Sequence, residues 1–171
     1  MTKSDDRRAA IIDKLADYVL AEGLSASSLR PLADAAGTSD RMLLYYFKDK
    51  TDLIAAALER VSLRFAGHLQ GELTGKPLPY EQLRKKVVKI VLAPDSWPYM
   101  RVWLEIAANA ARDDPFYRTL GEQIARGFLA FTEAQLDAPP AKRRTEALRL
   151  LVAVEGTMLL KSMGLDEVAR L

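Results

Sequence analysis

The chain has 171 residues, of which 49% are apolar and 28% are charged, a composition typical of a globular protein. It contains no cysteine and only one histidine, His68, which excludes disulfides and thiolate metal sites and argues against a histidine-based metal centre. The formal net charge of +2 is too small to indicate nucleic-acid binding by itself. We therefore expect no metal and no cofactor.

The charges and apolar runs of the sequence predict neither a signal peptide nor a membrane-spanning helix. The N-terminal residues are charged and show no signal-peptide core. No apolar run approaches the roughly 20 residues that a membrane-spanning helix needs. We expect a cytoplasmic protein without a membrane partner.

Four helices are predicted in the first part of the chain. Apolar residues repeat at helical spacing over residues 5–22, 29–36, 40–47 and 51–73. Gly37 separates the second helix from the third, because glycine readily adopts the left-handed backbone that a tight turn needs. Short helices joined in this way have the outline of a helix-turn-helix.

The third helix is predicted to have two different faces. Its caps are Thr38 or Ser39, and Ser28 caps the helix before it. Met42, Leu43, Tyr46 and Phe47 are expected to pack inward, and Arg41, Leu44 and Tyr45 to face outward. Arginine can bond guanine with two parallel donors, and tyrosine or lysine can hold phosphates. An ordinary helical hairpin with solvated charges is the alternative that spacing alone leaves open.

The stretch LRPLADAAGTSDRMLLYYFKDKTDLI resembles the helix-turn-helix signature of TetR-type transcriptional repressors, and the resemblance extends from about Arg8 to Ala57. The matching positions are Leu32-Ala33, Ala36-Gly37, Ser39, Tyr45-Tyr46-Phe47, Lys50 and Leu53. Two residues depart from the pattern. Arg41 stands where the family often has glycine, and Leu44 where it often has tyrosine. Both positions face DNA in the family, so the operator sequence cannot be carried over.

Together, the chemistry and the resemblance assign roles to side chains around the turn. Arg41 and Tyr45 are expected at bases or in the groove, where the resemblance also places Leu44. Arg30, Tyr46 and Lys50 are expected at phosphates. Ser39 is expected to cap its helix and to contact a phosphate, and Asp40 either accepts from cytosine N4 or only favours the helix N-terminus. Residues 1–50 contain eight basic and eight acidic side chains, so attraction to DNA has to come from their placement.

Four more helices are predicted in the second part of the chain, over residues 80–93, 96–111, 116–136 and 141–163. Because no stretch alternates with a period of two, the fold class is expected to be all-α. We expect residues 1–50 to form the DNA-binding domain and residues 51–171 a helical domain for effector binding and dimerisation. Within the latter, residues 51–73 form a connecting helix.

The last two helices are apolar over more than a narrow stripe, which suggests a second buried face. The resemblance implies that they pair with their two-fold mates as a four-helix bundle and form a homodimer. Leu151, Val154, Met158 and Leu159 are the predicted dimerisation residues. Burial of the last helix inside one subunit is the alternative.

Aromatic residues cluster in the second part and could line an apolar effector pocket, with Glu105, Asn109 and Glu155 as polar anchors. The predicted lining residues are Trp97, Met100, Trp103, Phe116, Phe128 and Phe131. Ordinary core packing is the alternative.

The leading hypothesis is a TetR-type regulator that binds double-stranded DNA. It would be a repressor released from a pseudo-palindromic operator by a small apolar or aromatic ligand. No paired carboxylates, nucleophile–histidine arrangement, phosphate loop or metal-ligand spacing indicates an enzyme. The alternative function is a helical protein–protein interaction module without specific DNA binding, which the neutral charge of residues 1–50 would suit.

Overall fold

The structure, a computed structural model, describes residues 3–170, and the all-α prediction is confirmed. A 3-10 turn, Asp166–Arg170, follows the last of the α-helices. The α-helices are α1 Lys3–Glu22, α2 Leu29–Ala36, α3 Asp40–Tyr46, α4 Lys50–Glu72, α5 Tyr80–Val91, α6 Trp97–Ala110, α7 Pro115–Ala134 and α8 Pro140–Ser162.

The helix boundaries follow from local capping. Asp114 caps α7, because its Oδ1 accepts the backbone N–H groups of Phe116 and Tyr117 at 2.9 and 3.3 Å. Helix α7 stops before the predicted residue 136. The Leu78 N–H instead donates to Gln135 O at 2.8 Å, and the Asp137 N–H donates to Leu78 O at 2.9 Å. These two bonds hold Gln135 and Asp137 outside the helix.

Two predicted caps are corrected. Ser28 occupies the N-cap position of α2, but its hydroxyl makes no capping hydrogen bond. Helix α4 begins at Lys50, one residue before the start of the predicted range 51–73, because Asp49 supplies the cap. Its Oδ1 accepts the Asp52 N–H at 2.9 Å, while the Asp52 carboxylate reaches back to the Lys48 N–H at 3.0 Å.

The chain divides into two compact units, with the boundary between Gly67 and His68 inside α4. The core of the first unit is formed by fully buried side chains of α1 to α4: Leu15, Val19, Leu32, Leu43, Phe47, Leu53 and Leu58. The second unit is built from α5 to α8 around Leu83, Val87, Met100, Ile106, Leu129, Leu150 and Val154. Across the described residues, no helix is both long and apolar enough to cross a membrane.

Candidate nucleic-acid interface

The turn between α2 and α3 is fixed by backbone hydrogen bonds around Gly37. Gly37 has φ +67° and ψ +40°, as the sequence predicted. Its N–H donates to Asp34 O at 3.0 Å and the Thr38 N–H donates to Ala33 O at 3.0 Å, which is a Schellman motif. From α1, Lys14 Nζ donates to Ala36 O at 3.1 Å and holds the end of α2. The angle at which α3 leaves the turn is therefore determined by the fold.

Ser39 is the residue that starts α3. Its Oγ accepts the Met42 N–H at 3.3 Å, so the choice between Thr38 and Ser39 is settled in favour of Ser39. Asp40 follows in the first turn, exposed, where a negative charge favours the helix N-terminus.

Helix α3 has a buried and an exposed face, although Met42 and Tyr46, which were predicted to pack inward, are only half-buried. Leu43 is 0% exposed and Phe47, just after the helix, is 1% exposed. The Arg8 guanidinium lies 4.8 Å from the centre of the Phe47 ring and covers it. On the other face Leu44 is 49% exposed and Tyr45 is 74% exposed. Packing thus holds one face of α3 and leaves the other to solvent.

Exposed cations that the fold does not use lie on α3 and on the segments next to it in the chain. Within residues 3–170, the side chains of Arg30, Arg41, Lys48 and Lys50 are exposed and form no ion pair or hydrogen bond. Arg41 also lines a surface depression with Met42, Leu44 and Tyr45. Tyr46 is half-buried and meets the Tyr45 ring edge to face, with centroids 5.1 Å apart. Charged and apolar groups are therefore presented side by side.

A charge network between α1 and α4 was not predicted from the sequence. Asp13 Oδ1 accepts from Arg60 and from Arg64, each at 2.7 Å, and Asp17 Oδ1 accepts from Arg64 at 2.6 Å. Burial would lower the pKa of Arg64, but the hydrogen bonds to Asp17 and Asp13 outweigh it and raise that pKa. Two of the acidic residues counted against DNA binding are thus already paired inside this unit.

In the second unit, the residues predicted for an effector pocket lie on α6 and α7. Met100 is 4% exposed, and the aromatic residues of the set are half-buried. Trp103 Nε1 donates to Glu155 Oε2 at 2.8 Å, joining α6 to α8. Burial raises the pKa of Glu155, and the hydrogen bond from Trp103 opposes that rise. Asn109 bonds the backbone oxygen of Glu105 in its own helix. The pocket itself stays a prediction.

The predicted dimerisation residues do not share one face of α8. Val154 and Met158 are each 2% exposed, so they belong to the core of their own unit and are removed from the proposed surface. Leu151 is half-buried, and Leu159 is 46% exposed. The exposed apolar stripe of α8 instead passes through Leu148, Val152 and Leu159 and ends at the C-cap residue Met163. Repeats of four, seven and four residues place these side chains on one side of the helix.

Comparison with known proteins agrees with this arrangement. Residues 11–57 match the family described as "Bacterial regulatory proteins, tetR family". The chain is 27% identical over 165 residues to the HTH-type transcriptional regulator BetI of Paraburkholderia phymatum, covering 94% of this chain and 83% of that protein.

Solved structures share the fold. A TetR transcription regulator from Haloarcula marismortui superposes with a TM-score of 0.73 at 18% identity, covering 97% of this chain and 92% of that one. The multidrug binding protein EbrR, complexed with imidazole, has a TM-score of 0.68 at 23% identity, covering 97% of this chain and 85% of that one.

Among the residues that the structure describes, no group of three or more His, Asp or Glu side chains could hold a metal ion.

Proposed function

We propose that this chain, which belongs to the TetR family of DNA-binding transcriptional regulators, is a homodimeric repressor that a small molecule releases from a pseudo-palindromic operator. Members of this family are transcription factors and not enzymes. The observation that carries the proposal is the exposed face of α3. It presents Arg41, Leu44 and Tyr45 to solvent, while Leu43 and Phe47 anchor the helix from behind.

The exposed groups suit different parts of a duplex. Arg41, near the N-terminus of α3, can bond guanine O6 and N7, and Tyr45 can enter the groove beside it. Arg30, Tyr46 and Lys50 are assigned to phosphates, where they fix the register without reading the sequence. The Ser39 Oγ is occupied as an acceptor, but its hydroxyl hydrogen remains able to donate to a phosphate. Asp40 is assigned either to cytosine N4 or to the helix N-terminus alone.

The proposal also assigns a function to each part of the chain. Residues 1–50 bind DNA, and residues 51–171 bind the effector and form the dimer, with residues 51–73 as the connecting helix.

The dimer is proposed to form through the exposed stripe of α8, defined by Leu148, Val152, Leu159 and Met163. Exposed apolar side chains that line one side of a helix are candidates for an interaction surface. Val152, at 71% exposed, is the most accessible of the four. A second copy seated on the stripe would bury it and would bring two α3 helices into one assembly, as a pseudo-palindromic operator with two half-sites requires.

The dimer is tested by Val152→Glu, with Leu63→Glu as the matched control. Leu63 is 62% exposed on α4, so it is an equally accessible apolar residue outside the stripe. Val152→Glu should give a folded monomer by light scattering and weaken operator binding, while Leu63→Glu stays dimeric. A Val152→Glu variant that remains dimeric and binds operator unchanged would remove the stripe from the proposal.

The effector is proposed to bind among Trp97, Met100, Trp103, Phe116, Phe128 and Phe131. The half-buried aromatic side chains would supply an apolar lining, and Glu155, which accepts a hydrogen bond from Trp103, would supply a polar anchor. EbrR, a multidrug binding protein of similar fold that is complexed with imidazole, supports the existence of an effector. Aromatic compounds can be screened for operator release, with Trp103→Phe as the variant that should shift the response. Release that is unchanged in Trp103→Phe would place the effector elsewhere.

DNA reading is tested by selecting retained sequences from a random duplex pool at two salt concentrations. An enriched pseudo-palindrome is expected. Arg41→Ala should then change base preference at one position of each half-site, whereas Lys50→Ala should weaken all sequences alike and flatten the salt dependence. Lys142→Ala, an exposed lysine of α8, is the control that should change neither. Weak retention without enrichment would favour the interaction module instead.

A further inference from the structure

Leu44 is an apolar side chain that the fold does not use. It is 49% exposed on α3, next to Leu43, which is 0% exposed. Leu43 already supplies the hydrophobic anchor of this short helix, so Leu44 is not needed for packing. Leaving a leucine in water forgoes the stabilisation that its burial would give. Its position on the face that carries Arg41 points to burial against DNA.

Arg41 and Leu44 are placed to meet neighbouring base pairs. Residues three apart lie on the same side of a helix, one above the other. At about 1.5 Å per residue their Cα atoms are separated by about 4.5 Å along the axis of α3. Base pairs in a duplex are stacked about 3.4 Å apart. Two side chains with this separation reach base pairs that are adjacent or one step further apart.

The chemistry of leucine leaves one partner in the major groove. Its side chain can neither donate nor accept a hydrogen bond, so a phosphate contact through the side chain is not available to it. Covering a base donor or acceptor with leucine would remove water from that group without replacing its hydrogen bond, which is unfavourable. The thymine C5-methyl group is the apolar group that the major groove offers.

We propose that Leu44 reads a thymine by burying its side chain against the C5-methyl group, within two base pairs of the guanine read by Arg41. This inference rests on the proposed function, because it assumes that α3 enters the major groove. It makes Leu44 a specificity-determining residue. Each operator half-site should therefore contain a thymine whose methyl group, and not its hydrogen-bonding pattern, is recognised.

The test removes that methyl group alone. After an operator has been selected from the random pool, each thymine is replaced in turn by deoxyuridine, in both half-sites together. Wild-type protein should lose about fourfold in affinity per half-site at one thymine position, the effect of one buried methyl group. All other thymines should tolerate the replacement.

The protein side of the test uses two variants. Leu44→Ala should bind the operator more weakly and lose the sensitivity to deoxyuridine at that position. Leu44→Met, which keeps an apolar side chain of similar size, should retain the sensitivity. Cytosine at the same position should weaken binding by wild type, and 5-methylcytosine there should restore part of the affinity. For Leu44→Ala, 5-methylcytosine should bind no more tightly than cytosine. Thermal melting close to that of wild type will show that both variants are folded.

The outcomes separate this inference from the proposed function. If no sequence is enriched from the pool, both are overturned. If an operator is enriched but no thymine responds to deoxyuridine, or Leu44→Ala responds as wild type does, the methyl reading alone is overturned. Sensitivity that appears at one thymine and disappears only in Leu44→Ala is the expected result.

Discussion

Replacing Leu43 or its neighbour Leu44 with alanine should have opposite consequences for stability and DNA binding. Leu43 is 0% exposed, so Leu43→Ala leaves a cavity and should cost about 3 kcal/mol of unfolding free energy. In a chain of this length that corresponds to a melting temperature lowered by roughly 6–12 °C. Leu44 is 49% exposed, and Leu44→Ala should change stability by no more than about 0.5 kcal/mol.

Both variants can be compared by urea unfolding and by operator titration at a temperature where both are folded. Under those conditions Leu43→Ala should bind operator with an affinity close to that of wild type, while Leu44→Ala binds more weakly. Equal destabilisation by the two substitutions would refute the assignment of the faces of α3. A stable Leu43→Ala protein that has lost operator binding would refute the idea that the anchor and the reading face are separable.

Three further predictions concern the turn, the charge network and the buried carboxylate. Gly37→Ala should lower the free energy of unfolding by about 1–2 kcal/mol, because φ is +67° at this residue. Gly67 lies inside α4 with open space around it, so Gly67→Ala should raise the free energy of unfolding by about 0.5–1 kcal/mol. The midpoints of urea unfolding measure both changes. Arg64→Ala breaks the hydrogen bonds to the two aspartates of α1 and should lower the free energy of unfolding by about 1 kcal/mol at low salt and by less at high salt. A loss of the same size at both salt concentrations would contradict an electrostatic cause. Burial raises the pKa of Glu155, so its stabilising contribution is present below the ordinary carboxyl pKa and is lost as pH rises through the raised value. Glu155→Gln should therefore increase the melting temperature at pH 8 and not at pH 4, and a gain of equal size at both pH values would show that charge burial is not its cause.

Signals that act within a few residues of chain were sufficient to predict several turns and caps in both units. Gly37, Ser39 and Asp114 are caps or turn residues whose partners lie within five residues, so their roles follow from residue type and spacing. The division of α3 into two faces follows from the helical repeat alone. The start of α4 was predicted one residue late, at residue 51, because several neighbouring residues are good N-caps and spacing does not single out Asp49.

Contacts between distant parts of the chain could not be predicted in the same way. Arg64 and Asp17 are 47 residues apart, and their pairing depends on how α1 and α4 are packed. A usable signal existed, since each of the two helices carries its charged residues four positions apart. On α8, apolar residues surround much of the helix, so periodicity could not tell that Val154 faces the core of its own unit and Val152 faces solvent. Arg41, Leu44 and Tyr45 are exposed on α3 as their spacing predicted, but their role in DNA binding stays a prediction because its partners are bases and phosphates that lie outside the chain.

The separation of anchor and reading face on α3 also bears on how such a protein can change over generations. Arg41 and Leu44 contribute little to the packing of the first unit, so substitutions there escape the stability threshold that removes most core mutations. After a gene duplication, two copies could acquire different operator preferences through these positions while keeping an unchanged scaffold. The same property makes them the positions to randomise in a library that seeks new DNA sequences for this fold.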